Sequence, residues 1–151
     1  MRFANFRVES SIKNALGVLS EKSEYSFSEI VRDIIWIGIG VMENGGLRYR
    51  SHLGIPLPFA KINYGGKNER LNVWLEEEQL KEAENVFGSD SATVIREAVR
   101  LGLAYIEKEK MQITGPMGIL RPFSIIDFPE ITREQSILAY NRLVEIARKI
   151  D

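Results

Sequence analysis

Cysteine is absent from the 151 residues, so disulfides, thiolate metal sites and thiol nucleophiles are excluded at once. Histidine occurs once, as His52, with no second histidine and no adjacent carboxylate. That removes most zinc chemistry and most chemistry needing a base with its orienting acid, and leaves His52 as an ordinary loop residue. No run of 18 uncharged apolar residues occurs; the densest stretch, Ile34 to Met42, is too short to span a bilayer and is interrupted by two glycines, so no membrane association is expected. The opening Met1-Arg2-Phe3-Ala4-Asn5-Phe6-Arg7 places an arginine where the apolar core of a secretion signal would begin, and an intracellular location is expected. Charge of neither sign is in excess, with 20 Lys and Arg against 21 Asp and Glu, so any surface for a polyanion must be local. The acids Glu76, Glu77 and Glu78 make a charged helix start and not a converging site, and the chain is read as a non-enzyme without cofactor or metal.

What is present is a repeat. Ala4, Phe6 and Val8 alternate with Asn5 and Arg7, the period of two of a strand with one buried face. Leu71, Val73 and Leu75 alternate in the same way with Arg70, Asn72 and Trp74, at an offset of 67 residues that pairs Asn5 with Asn72. Each strand runs into a short helical pattern: Ile12, Ala15, Leu16 and Leu19 in the first copy, Leu80, Ala83, Val86 and Phe87 in the second, the latter ending at Gly88 as a C-terminal cap. A second helix then opens in each. Ser26 with Glu29 three residues on forms a capping box, and Ser89 or Asp90 caps the other. Ile30-Val31-Arg32-Asp33 matches Val94-Ile95-Arg96-Glu97 at an offset of 64, and Gly38 matches Gly102. Glycine inside a helix costs about 1 kcal/mol against alanine, so the same position in both copies predicts close backbone approach to a partner helix.

Strand, short helix, turn and capped second helix with an Ile-Arg-Glu-Ala-type start resembles the ribbon-helix-helix family of transcriptional regulators, over roughly residues 2 to 43 and 69 to 110. Arg70-Leu71-Asn72-Val73-Trp74-Leu75 followed by Val94-Ile95-Arg96-Glu97-Ala98 is the closer copy, and the tandem arrangement loosely resembles regulators encoded by archaeal viruses; eighteen isoleucines fit a thermophilic source. The resemblance implies that the two strands pair as an antiparallel ribbon that enters the major groove of double-stranded DNA. The expected fold is mainly α with one short two-stranded β-ribbon, the two units pairing within the chain as a pseudo-dimer. On the outward face Asn5, Arg7, Arg70, Asn72 and Trp74 are the candidate base readers, since asparagine matches adenine N6 and N7 and arginine matches guanine O6 and N7. Trp74 departs from the polar type, and either meets a thymine methyl or tucks against protein. The N-terminal ends of the second helices, Ser26-Phe27-Ser28 and Ser89-Asp90-Ser91, are candidate phosphate sites. Arg32 and Arg96 serve there or in structural ion pairs.

Residues 1–43 and 69–110 are thus read as the two units, joined by a linker over 44–68 and followed by an extension over 111–151. The linker carries Gly45-Gly46, Pro56, Pro58 and Gly65-Gly66, a composition that breaks helix and strand. It is also basic: Arg48, Arg50 and Lys67 either track the DNA backbone or face solvent. Its apolar residues Ile55, Leu57, Phe59 and Tyr64 predict packing against the domain. In the extension a helix over 132–150, opened by Thr132 with Gln135, carries Ile137, Leu138, Leu143, Val144, Ala147 and Ile150 on an apolar stripe that packs on its own chain or builds a homo-oligomer. Two other functions fit the repeat: an architectural protein that coats DNA without regard to sequence, and the antitoxin of a toxin-antitoxin pair.

Overall fold

The computed structural model describes residues 1–51, 53–55, 61–88, 90–108, 112–115, 118–119 and 124–150. His52, Pro56, Leu57, Pro58, Phe59 and Ser89 lie outside them. The chain is mainly helical with small antiparallel sheets. In order come β1 (Arg2–Glu9), α1 (Ser10–Glu21), α2 (Phe27–Glu43), β2 (Arg48–Ser51), β3 (Lys61–Asn63), β4 (Asn68–Leu75), α3 (Glu77–Phe87), α4 (Ser91–Ile106), β5 (Gln112–Gly115), β6 (Gly118–Ile119), β7 (Ser124–Asp127) and α5 (Glu134–Arg148).

β1 and β4, 67 residues apart in sequence, pair with each other as an antiparallel ribbon within the chain, Asn5 opposite Asn72. Alternation fixes the faces: Ala4, Phe6, Val8, Leu71, Val73 and Leu75 are buried, and the residues between them point out. A one-residue slip would turn all six apolar side chains to water, so the register is firmly set. α1 and α3 are the short amphipathic helices that follow, and Gly88 does end α3 in the left-handed conformation.

α2 and α4 form the centre of the core. Ile30, Ile34, Ile37, Val94, Ala98 and Leu101 are buried along them. A Cβ built on Gly38 would lie 2.0 Å from the carbonyl oxygen of Ala98, and one on Gly102 would lie 2.0 Å from that of Ile34. Ala98 and Ile34 are themselves counterparts at the offset of 64, so each glycine lets the other helix's backbone into the same place. The second helices also reach across to the opposite strand: Arg32 Nη1 donates to the Trp74 carbonyl at 2.8 Å, and Arg96 Nε donates to the Arg7 carbonyl at 3.0 Å. Arg32 and Arg96 therefore do the same job, one in each direction.

α5 breaks this symmetry. It lies mainly on α2 rather than on α4, burying Ser136, Ala139, Leu143 and Ile146. Ser136 Oγ donates to the Trp36 carbonyl at 2.6 Å, close over Gly40, where a Cβ would come within 2.5 Å of that hydroxyl. Arg142 holds the buried Asp33 by two bonds of 2.9 and 2.5 Å. Of the predicted apolar stripe, Leu143 is buried, and Val144, Ala147 and Ile150 line an open groove of about 750 Å³ beside α1. Ile137 and Leu138 stay exposed. The helix starts at Glu134 rather than Thr132, with Arg133 at the cap position and no side-chain cap. The Arg133 guanidinium instead reaches Glu43 at 2.8 Å and Glu82 at 3.1 Å.

The expectation of a single ribbon falls short of what is observed. β2 pairs with β7, and β3 with β5 and β6, so segments read as linker and tail hold two further small sheets. Ile62 and Ile113, directly opposite each other, are buried, as is Tyr49. Strands of two to four residues are too short to show a period of two, and each is completed only by a partner elsewhere in the chain.

The crossing of α2 and α4 makes a quantitative prediction. Gly38→Ala and Gly102→Ala each destabilise the protein by about 3 kcal/mol through forced separation of two backbones. Gly17→Ala on α1, whose Cβ would meet nothing within 4 Å, stabilises it by about 0.5–1 kcal/mol. Denaturant unfolding of the three variants checks both signs, and a neutral Gly38→Ala would contradict the crossing.

Candidate nucleic-acid interface

The outward face of the ribbon brings together all five residues expected there and one more. Asn5 faces Asn72 at the centre, Arg7 faces Arg70 on one side, and Phe3 faces Trp74 on the other. All six are exposed, Phe3 and Trp74 each by 51%. Phe3 is absent from the set expected from sequence, although its place in the alternation with Asn5 and Arg7 is visible there. Its ring meets the Trp74 indole edge-on with centroids 5.2 Å apart. Trp74 therefore packs against Phe3 on the open face and not into the core, two large apolar surfaces left side by side in water.

Among the described residues the side chains of Asn5, Arg7, Arg70 and Asn72 make no hydrogen bond or ion pair. Like charges directly opposite on a ribbon destabilise it, and Arg7 and Arg70 are such a pair. The nearest carboxylates on the two strands are engaged elsewhere: Glu9 is bonded by Arg100, which also takes Glu97 at 2.6 Å, and Glu69 lies 3.8 Å from Lys13. This end of the ribbon is thus a positive spot on a chain whose net charge is −1. Lys67, exposed one residue before β4, adds to it, held in place by its carbonyl, which accepts from Ser10 N–H at 2.7 Å.

The two helix N-termini that flank the ribbon are not equivalent. At α2, Ser26 Oγ accepts from Glu29 N–H and donates to the Glu29 carboxylate, each at 3.2 Å, the anticipated capping box. Ser28 Oγ accepts from the Trp74 backbone N–H at 3.2 Å, and Phe27 packs its ring on the core. The first two N–H groups of α2, those of Phe27 and Ser28, have no partner among the described residues. At α4, by contrast, Asp90 is the cap: its carboxylate accepts from Thr93 N–H at 3.0 Å. That bond from Thr93 holds its carboxyl below the usual carboxylate range, with the Ala92 N–H acting in the same direction. Ser91 Oγ is spent on Glu84 at 2.7 Å. An internal anion already occupies the position a phosphate would take.

Arg48 and Arg50 are not brought to the ribbon. They sit on β2, beyond the C-terminal end of α2, roughly 25 Å along that helix from the turn that touches β4. Arg50 pairs with Asp127, and Arg48 Nε donates to the Gly45 carbonyl at 3.3 Å. No helix among the described residues is long and apolar enough to cross a membrane. Comparison with protein-family models, with curated proteins and with solved structures finds no match to this chain.

Asp90 supplies a test of the flanking sites. Its folded-state carboxyl is depressed, so what it adds to α4 is present above the unfolded-state pKa and is lost as pH falls through the lower folded value. Asp90→Asn keeps a capping oxygen for Thr93 and removes the charge. The expected outcome is a small loss of thermal stability at neutral pH that closes as pH falls and Asp90 is protonated in the wild type, together with tighter, more salt-sensitive binding to duplex DNA, measured by thermal unfolding across pH and by anisotropy at two salt concentrations.

Proposed function

We propose that the protein is a sequence-specific double-stranded-DNA-binding transcription regulator in which two ribbon-helix-helix units pair within one chain and the β1–β4 ribbon enters the major groove. The observation that carries this reading is the exposed set Asn5, Asn72, Arg7 and Arg70 on one face of a two-stranded ribbon, whose side chains have no partner among the described residues. A protein has no folding reason to place two arginines opposite each other without a carboxylate, and the arrangement becomes favourable when a polyanion supplies the countercharge. A two-stranded ribbon fits the major groove, about 12 Å wide, and asparagine and arginine are the side chains that make bidentate contacts to adenine and guanine there.

The backbone N–H groups of Phe27 and Ser28 and the Lys67 ammonium are suited to the phosphates on either side, fixing the ribbon's height in the groove without reading sequence. Arg32 and Arg96 act one step back: by holding the Trp74 and Arg7 carbonyls they tie the reading strands to the second helices. Binding at a promoter would then regulate by occupancy.

The wild type should select a motif from a randomised duplex pool. Asn5→Ala combined with Asn72→Ala should lose about 1–3 kcal/mol of preference for that motif, roughly 5- to 150-fold, while keeping salt-dependent binding to unrelated duplex. Binding by both proteins with no motif would identify a DNA coat instead, and absence of wild-type binding would remove DNA from the account.

A further inference from the structure

The two strands are counterparts, yet the two ends of the face they build are chemically unlike. At the offset of 67, Phe3 corresponds to Arg70, Asn5 to Asn72 and Arg7 to Trp74. The antiparallel register then puts Asn5 opposite Asn72 on the pseudo-two-fold position. Had the strands been identical, the pair on one side would reproduce the pair on the other. Instead one end is Arg7 with Arg70, and the other is Phe3 with Trp74 in edge-on contact at 5.2 Å. The helices behind them repeat the difference: the α2 N-terminus, beside Trp74, offers two N–H groups with no partner among the described residues, and the α4 N-terminus holds its own Asp90.

Resting on the reading proposed above, we infer that the protein recognises a non-palindromic DNA site, with G·C pairs under Arg7 and Arg70, A·T at the centre under Asn5 and Asn72, and thymine methyl groups under Phe3 and Trp74. The chemistry at each end dictates this. Guanidinium groups find two acceptors on guanine in the major groove, whereas an indole and a phenyl ring offer apolar surface that only the thymine methyl matches there. Pairs on the face are two residues apart, so the aromatic and arginine pairs are separated by about 14 Å at 3.4 Å per residue, roughly four base-pair steps. One molecule therefore distinguishes the two directions along the duplex, which a face with matching ends does not. Joining both units in one chain is what allows the two strands to differ.

The experiment is selection from a randomised duplex pool with the wild type and with Phe3→Arg combined with Trp74→Arg, which gives both ends the arginine pair. Both positions are exposed, and matched thermal unfolding confirms that the variant folds. The wild type should yield an asymmetric motif, and exchanging its G·C end for A·T should weaken binding about 10-fold or more. The double variant should yield a palindromic motif with G·C at both ends. Arg7→Ala with Arg70→Ala should erase preference at the G·C end alone. A palindromic wild-type motif, or an unchanged asymmetric motif from the Phe3→Arg, Trp74→Arg variant, would overturn the inference and leave sequence reading by the ribbon intact. If the wild type selects no motif, the reading of function falls and this inference falls with it.

Discussion

The reciprocal contact of Gly38 with Ala98 and of Gly102 with Ile34 is the constraint on which the other features rest. Two helices can approach this closely only where each lacks a side chain under the other's carbonyl, and the chain accepts the helix-propensity cost of two interior glycines to achieve it. The close crossing sets where the N-terminal turns of α2 and α4 lie. From there Arg32 and Arg96 reach the carbonyls of the opposite strands, and Ser28 reaches the Trp74 N–H. A two-stranded ribbon is at best marginal alone. Here its inner face is buried on the helices, and its outer face, with no packing duty, is free to carry asparagine, arginine and exposed aromatic side chains.

The second theme is asymmetry laid on a symmetric frame. Asp33 and Glu97 are counterparts, but Asp33 is held by Arg142 of α5 while Glu97 is held by Arg100 of its own helix. Gly40, which lies under Ser136 of α5, has Ala104 as its counterpart on α4, so the glycine that admits α5 is present on α2 alone of the two helices. Tyr105 at the end of α4 meets Phe128 and Tyr140 instead, at centroid distances of 5.8 and 5.4 Å. Two paired segments within one chain can differ in this way, whereas identical subunits change both halves at once.

Much of this is legible in the residues, for identifiable reasons. The alternation around Asn5 and Asn72 marks the two strands and their faces, because a period of two sustained over five residues in one and six in the other is the signature of a half-buried strand. The Ser26–Glu29 box, the Gly88 cap and the paired glycines are local or repeated signals, and each is found where its residues predict it. What escapes is non-local. β2 and β7 are four residues each, and their pairing depends on a partner more than 70 residues away. The bonds from Arg32 and Arg96 to strand carbonyls carry no sequence signature, since a carbonyl belongs to every residue. Phe3 is hidden by its type: a phenylalanine is assigned to the core by habit, although its neighbours' alternation puts it outside. At the candidate site, residue type suggests Arg48 and Arg50 as companions of the ribbon, and only the path of α2 shows that they stand at its far end.

The most direct test of the central claim is a titration of the isotope-labelled protein with its selected duplex, following backbone amide signals and the Asn5 and Asn72 side-chain amides by NMR. The account predicts that the largest shifts fall on Phe3 to Arg7, Arg70 to Trp74 and the first turn of α2, with the two asparagine side chains among them. Shifts concentrated on β2 and β7 or along α5, with the ribbon face unmoved, would contradict it.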